Sequence, residues 1–547
     1  MSDKINRKVL ILGLDGATWK ILKPLINLKV LPNIRKIVNN GCTGTLESTI
    51  PPITSPAWPC IATGMNPSKL GVYSTFRRVA INDFKLKPVT STVYKGKAFW
   101  DVLSWYGYRV ALIKIPFLYP IYKVNGCMIS GFGTIGKFSI YPEHLHEKVK
   151  HGADKLLETK IFNELYYLRL DDHKECLRYV SRCRELVLRD LKVVTDIAKS
   201  IPWNVFFYVV SQTDWLQHAF MDRILALITK LTTKKYKTLD ALDQEILRFY
   251  KVIDLAVKNF LNILEKENSE WILFIISDHG FTVSNYTFNI AKWLVSKGYM
   301  KLRRPRNQKR SMLLKTVLNF IKKTFIFISF PHSSIPMRLT SLAFRLAHKL
   351  ASEAVLGISQ LVDFKNSKVF CLEDSALYVN KSISSNNRDI LTRLLIDLKR
   401  TLEDRYRLNI KFFKIKEIYK GAKSELAPDL IIDISDNDHT WGKTTDLNKP
   451  LISPSKLPGV HDRYGTFIAY GTCIKEGYVM KNLVKIFDIA PTVLHIFEVP
   501  IPANIDGIVL REIFKEDSPL AKRFPSKESV KTSLKRMISF KFKRLNI

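Results

Sequence analysis

The chain has 547 residues, 46% of them hydrophobic, which excludes a disordered protein and supplies material for a large core, either roughly two to four domain-sized units or one elaborated α/β domain. A formal net charge of +36 admits nucleic acid, an anionic membrane surface or a phosphorylated substrate as partner, beside the bland reading of a lysine-rich surface. Seven cysteines (Cys42, Cys60, Cys127, Cys176, Cys183, Cys371, Cys473) are an odd number without CxxC spacing, which argues against a disulfide framework or a thiolate zinc site and for a reducing compartment.

In chain order, the run Val9 to Leu14 is too short for a signal-peptide core and ends in an acid, so it predicts a buried first strand of a cytoplasmic protein. Asp15 closes that strand, and Gly16 lets the backbone turn beside it, a suitable mount for a hard metal ligand. The usual role of such an aspartate is to cap the next helix. In Ile50-Pro51-Pro52-Ile53-Thr54-Ser55-Pro56, two hydroxyls follow a rigid proline turn and precede a helical run ending at Thr63-Gly64. A hydroxyl at a helix amino terminus lies against an electropositive end that attracts phosphate, although an N-cap is its commoner role.

A helix is predicted over Lys97 to Tyr106, a strand over Val110 to Ile115, a helix over Lys174 to Ser200 and a strand over Val205 to Val210. Directly after that strand come Asp214 and His218, four residues apart. On a helix this spacing stacks both side chains on one face, close enough to share one metal, or to form a surface pair contributing a few tenths of a kcal/mol. The strand Trp271 to Ile276 runs into Ser277-Asp278-His279-Gly280, where adjacent residues at a strand end point to different partners. A helix capped by Asn289 and ended by Gly298 follows.

Lys301 to Lys423 changes character. It is basic and helical to about Leu361, with an amphipathic rather than membrane-spanning stretch from Met312 to Phe330, interrupted by Lys315, Lys322 and Lys323. Strand-like runs then flank a helix from Asn387 to Tyr406, at Val369 to Val379 and at Ile410 to Ile418. The core is expected to resume near Pro428 to Asp433. His461 precedes a strand from Tyr464 to Tyr470. The tail from Lys522 to Arg544 interleaves Leu534, Met537, Ile538 and Phe540 with basic residues, as a surface-seeking helix or a solvated tail would. Neither basic stretch carries a base-stacking platform, so no specific nucleic acid is expected.

Strands alternating with helices imply an α/β fold with a mostly parallel central sheet flanked by helices, and such sheets gather their strand ends at one edge. In this order, the pieces Leu12-Gly13-Leu14-Asp15-Gly16, Pro52-Ile53-Thr54-Ser55-Pro56 with Thr63-Gly64 and Asn66-Pro67, Thr213-Asp214 with His218, Ser277-Asp278-His279-Gly280, His461, and Phe487-Asp488-Ile489-Ala490-Pro491-Thr492 with Asp506-Gly507 resemble the alkaline phosphatase superfamily, in the branch of type I phosphodiesterases and nucleotide pyrophosphatases.

The resemblance covers most of the chain outside an inserted α+β cap and a basic C-terminal tail. The alkaline-phosphatase-like core is expected over 1–300 and 424–515, the cap over 301–423 and the tail over 516–547. The resemblance implies two divalent metal ions, most often zinc, with manganese also suited to these ligands. Asp214, His218 and His461 would hold one ion, and Asp15, Asp278 and His279 the other. The nucleophile aligns with Thr54, beside Ser55. The implied activity is metal-dependent cleavage of phosphodiester or pyrophosphate bonds in phosphorylated, nucleotide-type small molecules. One position departs from the expected pattern: Ala57 stands where an asparagine contact to the phosphoryl oxygen is expected, which leaves diester against monoester specificity open. A phosphomonoesterase, sulfatase or phosphoglycerate-mutase-like enzyme is the alternative within the superfamily, the sulfatase being disfavoured because Thr54 lies in no Cys-x-Pro-x-Arg motif. Outside it, the alternative is a non-catalytic protein binding anionic lipid or polyanion. The basic tail adds an expected peripheral contact with an anionic membrane, at its inner face.

Overall fold

The computed structural model describes residues 5–81, 86–134, 139–145, 159–165, 167–234, 238–303, 361–373, 376–383, 387–435 and 440–529, with residues 531, 532, 535, 536 and 538 of the tail. The expected basic helical stretch up to Leu361, with Met312 to Phe330 inside it, lies almost wholly outside the described residues, as does most of the amphipathic tail.

The strands that build the centre are β1 (Arg7–Leu14), β2 (Cys42–Glu47), β3 (Val110–Ile115), β4 (Gly126–Ser130), β5 (Val205–Val210), β6 (Glu270–Ile276), β7 (Gly280–Val283), β8 (Gly459–Asp462) and β9 (Tyr464–Gly471). The helices beside them are α1 (Trp19–Asn27), α2 (Thr54–Thr63), α3 (Phe99–Trp105), α4 (His173–Ser200), α5 (Gln212–Thr233), α6 (Ala241–Leu264) and α7 (Ile489–Ile496). The central sheet runs in the order β2-β9-β6-β1-β5-β3-β4, with short edge pairings beyond β2 and β4. Its middle, β6-β1-β5-β3-β4, is parallel throughout, and β9 runs against both of its neighbours. The α/β architecture expected from the alternation of runs is the one that the chain forms.

Continuous apolar runs form the central strands because both faces of the sheet are covered, as parallel sheets require. Alternate residues of β1 serve opposite layers. Leu10, Leu12 and Leu14 face the layer of α1, α4, α5 and α6, while Val9 and Ile11 face that of α2, α3 and α7. Each such fully buried aliphatic side chain contributes about 1.5–3 kcal/mol, so a polar residue in β1 would dislodge the strand that ends at Asp15.

Register decides where the chemistry gathers. Leu14 pairs with Val210, and Gly13 pairs with both Val209 and Ile276. The carboxyl ends of β1, β5 and β6 therefore lie side by side, and the chain leaving each delivers Asp15, Asp214 and Asp278 to one edge.

A second, antiparallel sheet runs in the order Val369–Glu373, Ala376–Val379, Leu430–Ser435, Asn409–Phe413 and encloses its own apolar cluster with the helices Ile290–Ser296 and Asn387–Lys399. Two details differ from the expectations drawn from sequence. The expected strand to Ile418 stops at Phe413, because Ile415 turns into a short helix, Ile415–Ile418, and buries against Ile50, Tyr73 and Tyr419. Leu430–Ser435, expected to resume the central architecture, instead pairs with Ala376–Val379 and Asn409–Phe413, and the return to the central sheet comes at Tyr464. No helix among the described residues is long and apolar enough to cross a membrane.

Candidate metal centre

Asp15 leaves β1 with its N–H donated to Val210 O (3.1 Å), and Gly16 turns the chain with φ of +69°. Gly16 N–H donates to Asp278 Oδ1 at 3.1 Å, tying the end of β1 to the end of β6. From the first turns of α5, Thr213 Oγ1 donates to Asp15 O (2.6 Å) and Gln217 Nε2 donates to Gly16 O (3.1 Å). Thr213 and Gln217 thus fix the helix that carries Asp214 and His218 on the strand that carries Asp15. His461 arrives from far along the chain because β8 pairs antiparallel with β7, setting His461 opposite Phe281. Thr54 is the first residue of α2.

The fold brings all seven residues together. Asp15, Asp278 and His279 form one group, and Asp214, His218 and His461 form another, each with its ligand atoms within 4.8 Å of one another. In the first, His279 Nε2 is 3.2 Å from Asp278 Oδ2 and 3.7 Å from Asp15 Oδ1. In the second, Asp214 Oδ1 is 3.2 Å from His461 Nε2 and 3.6 Å from His218 Nε2. Asp214 Oδ1 is also 3.9 Å from His279 Nε2, so the groups adjoin. Thr54 Oγ1 stands 3.1 Å from His279 Nε2.

The three imidazoles share one arrangement. Nδ1 donates to a backbone carbonyl in each: His218 to Gly459 O (3.0 Å), His461 to Pro52 O (3.0 Å) and His279 to Gly280 O (3.1 Å). All three Nε2 atoms then point into the centre. This is the outer support that metal-binding histidines use, because it fixes ring orientation and leaves the other nitrogen's lone pair free. Burial lowers the pKa of His218, and lowers that of His279 well below the ordinary range.

The carboxylates complete the test of whether the site suits metal. Asp15 Oδ1, Asp214 Oδ1 and Asp278 Oδ2 are buried and accept no hydrogen bond. Burial raises Asp278 to about 7; burial, then the charges of Asp278 and Asp214, raise Asp15 well above the carboxylate range. Burial also pushes Asp214 upward, but His218, His461 and His279 outweigh it and hold Asp214 at about 2. Three buried carboxylate oxygens without donors are costly unless a cation neutralises them, and imidazole with carboxylate is a donor set that zinc or manganese accepts. The residues present fit two divalent ions.

Two features of the site, Phe281 and Gly459, have no signal in the sequence, and the structure also places Ser55 and Ala57. Phe281, fully buried, lies edge-on to His218 (centroids 4.8 Å apart) and His461 (5.1 Å) and packs against both rings. Gly459 is required by close approach, since a Cβ there would stand 2.0 Å from Gln217 O. Ser55 is fully buried, and its Oγ meets Thr75 Oγ1 at 3.3 Å, away from the histidines. Ala57 is also fully buried and belongs to the apolar cluster that α2 shares with α3 and α7.

A family model described as type I phosphodiesterase / nucleotide pyrophosphatase matches residues 9–325. A search of curated proteins returns no match. Among solved structures, murine ectonucleotide pyrophosphatase / phosphodiesterase 5 is similar at 11% sequence identity, covering 93% of this chain and 100% of that chain with a TM-score of 0.49. The human protein of the same name is similar at 12% identity, covering 90% of this chain and 95% of that chain with a TM-score of 0.47.

Proposed function

The chain belongs to the type I phosphodiesterase / nucleotide pyrophosphatase family of the alkaline phosphatase superfamily, and on that premise we propose that it is a two-metal hydrolase cleaving phosphodiester or pyrophosphate bonds of nucleotide-type substrates, with Thr54 as nucleophile. The observation that carries this reading is the set of three buried, undonated carboxylate oxygens facing three Nε2 atoms beside the Thr54 hydroxyl.

Asp15, Asp278 and His279 would hold one ion, and Asp214, His218 and His461 the other. When bound, the two ions supply Lewis-acid stabilisation of the attacking and leaving oxygens and lower the pKa of the attacking hydroxyl. The chain's own residues do the rest. Thr54 opens the ten-residue helix α2, whose positive end favours the charge of a phosphoryl group and of the threonine alkoxide. As Thr54 Oγ1 attacks phosphorus in line, a P–O bond to the threonine forms and the P–O bond to the leaving group breaks. Attack by water on the phosphoryl- or nucleotidyl-threonine then breaks the P–O bond to Thr54, releasing the product and the free hydroxyl. The Nδ1 bonds to Gly459, Pro52 and Gly280 hold the imidazoles still throughout, so no reorientation is needed at the moment of reaction.

The same proposal places the enzyme in the cytoplasm, with its basic tail touching the inner face of an anionic membrane. Co-sedimentation with anionic vesicles that disappears on deleting residues after Lys522 supports that contact, and unchanged co-sedimentation refutes it.

Substrate class is tested by comparing rates on a chromogenic phosphodiester, a phosphomonoester and a sulfate ester. The diester should be hydrolysed fastest. A monoester rate above it moves the protein to the phosphatase side of the superfamily.

A further inference from the structure

The loop from Ile50 to Ile53 lies between the reaction centre and the region that the sequence marks as inserted. Pro51 and Pro52 carry no N–H, so Ile50 is the only backbone donor between Thr49 and Ile53. That N–H donates to Tyr419 Oη at 2.9 Å. Two residues on, Pro52 O accepts from His461 Nδ1 at 3.0 Å, and two residues further Thr54 opens α2. Within the loop, Thr49 Oγ1 donates to Pro51 O (2.6 Å), as does Ile53 N–H (3.0 Å). A short, stiff piece of backbone is thus held by a phenol at one end and meets an imidazole of the centre at the other.

Tyr419 is itself rigidly placed. Its ring is buried, packs with Ile50, Tyr73 and Ile415, and meets Phe487 edge-on at 6.3 Å. Its carbonyl accepts from Ser68 Oγ (3.1 Å), the neighbouring Lys420 O accepts from Asn66 Nδ2 (3.0 Å), and Lys423 N–H donates to Ser68 O (2.8 Å). At Gly421 the backbone comes so close that a Cβ would stand 2.6 Å from Lys69 N. The segment 419–423 is therefore clamped to the turn that follows α2.

We propose that Tyr419 is a positioning residue: its hydroxyl fixes the Ile50–Ile53 loop, which sets the Pro52 carbonyl against His461 and the start of α2 at Thr54, so the inserted region acts on the reaction centre without touching substrate. The inference rests on the two-metal hydrolase reading. Removing the hydroxyl leaves the Ile50 N–H buried and unpaired, the loop relaxes to find a partner, and His461 loses its fixed carbonyl. Histidine ligands that lose such an outer partner give up about 10–100-fold in metal affinity or activity.

The test uses the full chain and two variants. Tyr419→Phe keeps the ring and its packing and removes one oxygen. Ser68→Ala removes hydrogen bonds to Tyr419 O and Tyr73 from the same platform but leaves the bond between Ile50 and Tyr419 in place. Zinc affinity is read by competition with a chromogenic chelator, without substrate, and kcat and KM are read on a chromogenic diester. Tyr419→Phe should weaken one of two zinc ions about tenfold and lower kcat about tenfold with KM little changed, while Ser68→Ala lowers Tm but leaves zinc affinity as in the parent. Unchanged zinc affinity in Tyr419→Phe, or the same loss in Ser68→Ala, overturns the proposal. A parent protein that binds no zinc refutes the hydrolase reading instead, which separates the two failures.

Discussion

His218 Nε2 and His461 Nε2 stand 3.0 Å apart, although each ring has its Nδ1 committed to a backbone carbonyl. Two lone pairs at that distance repel unless a proton or a cation lies between them, and Asp214 Oδ1, 3.2 Å from His461 Nε2, makes a cation the better solution. His218→Ala and His461→Ala should therefore each lower metal content by one ion per chain, leaving the ion held by Asp15, Asp278 and His279. Equilibrium dialysis followed by metal analysis reads this directly, and full occupancy in both variants would refute the assignment.

The two adjacent hydroxyls separate cleanly. Thr54 Oγ1 faces His279 Nε2 at 3.1 Å, while Ser55 Oγ is turned to Thr75. Thr54→Ala should abolish turnover, by about a thousandfold or more, with both ions retained; Ser55→Ala should keep activity within about tenfold of the parent. The outcome that moves the nucleophile to Ser55 is full activity in Thr54→Ala.

The buried carboxylates make the stability of the metal-free protein pH-dependent. Burial raises Asp278 to about 7, above its unfolded value, so its contribution to stability is fully present below the unfolded pKa and is lost as pH rises through about 7. Asp101, raised by burial to about 7 where it caps Gly96 and Ala98, adds a contribution of the same sign. His218 and His279, whose pKa values burial lowers, contribute the opposite sign below their unfolded value. Comparing wild type with Asp278→Asn isolates the first effect. In urea titrations of chelator-treated protein, the stability of wild type relative to the variant should fall between about pH 4 and 7; a rise over that window would contradict the assignment. Added zinc, which binds the deprotonated ligands, should stabilise the wild type more at high pH than at low.

Much of the framework is legible in the amino-acid sequence. The apolar runs Val110 to Ile115 and Val205 to Val210 are strands at those same limits, because parallel strands covered on both faces leave an unbroken apolar signature. Asp214 and His218 declare themselves by a helical spacing that the first turn of α5 realises. His461 has no local signal; only family order points to it, since its place depends on a pairing of β7 with β8 across about 180 residues of sequence. The Ile410 to Ile418 run misleads because apolar residues continue past the strand end, where Ile415 serves a different cluster. Phe281 and Tyr419 are silent, as residues that act by touching partners from distant segments must be.

Phe281 offers a further check. It is fully buried and edge-on to His218 and His461, so truncation removes core volume and the packing of both rings together. Phe281→Ala should cost about 3–5 kcal/mol in unfolding free energy. Phe281→Leu, which keeps most of the volume, should fold but bind metal more weakly. Parent-like metal affinity in the leucine variant would show that the ring serves packing alone.

Whether these residues hold two catalytic metal ions is tested most directly by metal analysis of the purified protein, with diester hydrolysis measured before and after chelation. Two transition-metal ions per chain are expected, with activity lost on chelation and restored by zinc or manganese, and one ion and the activity lost together in Asp278→Ala or His279→Ala. Folded, metal-free protein that hydrolyses the diester at an undiminished rate would contradict the two-metal assignment.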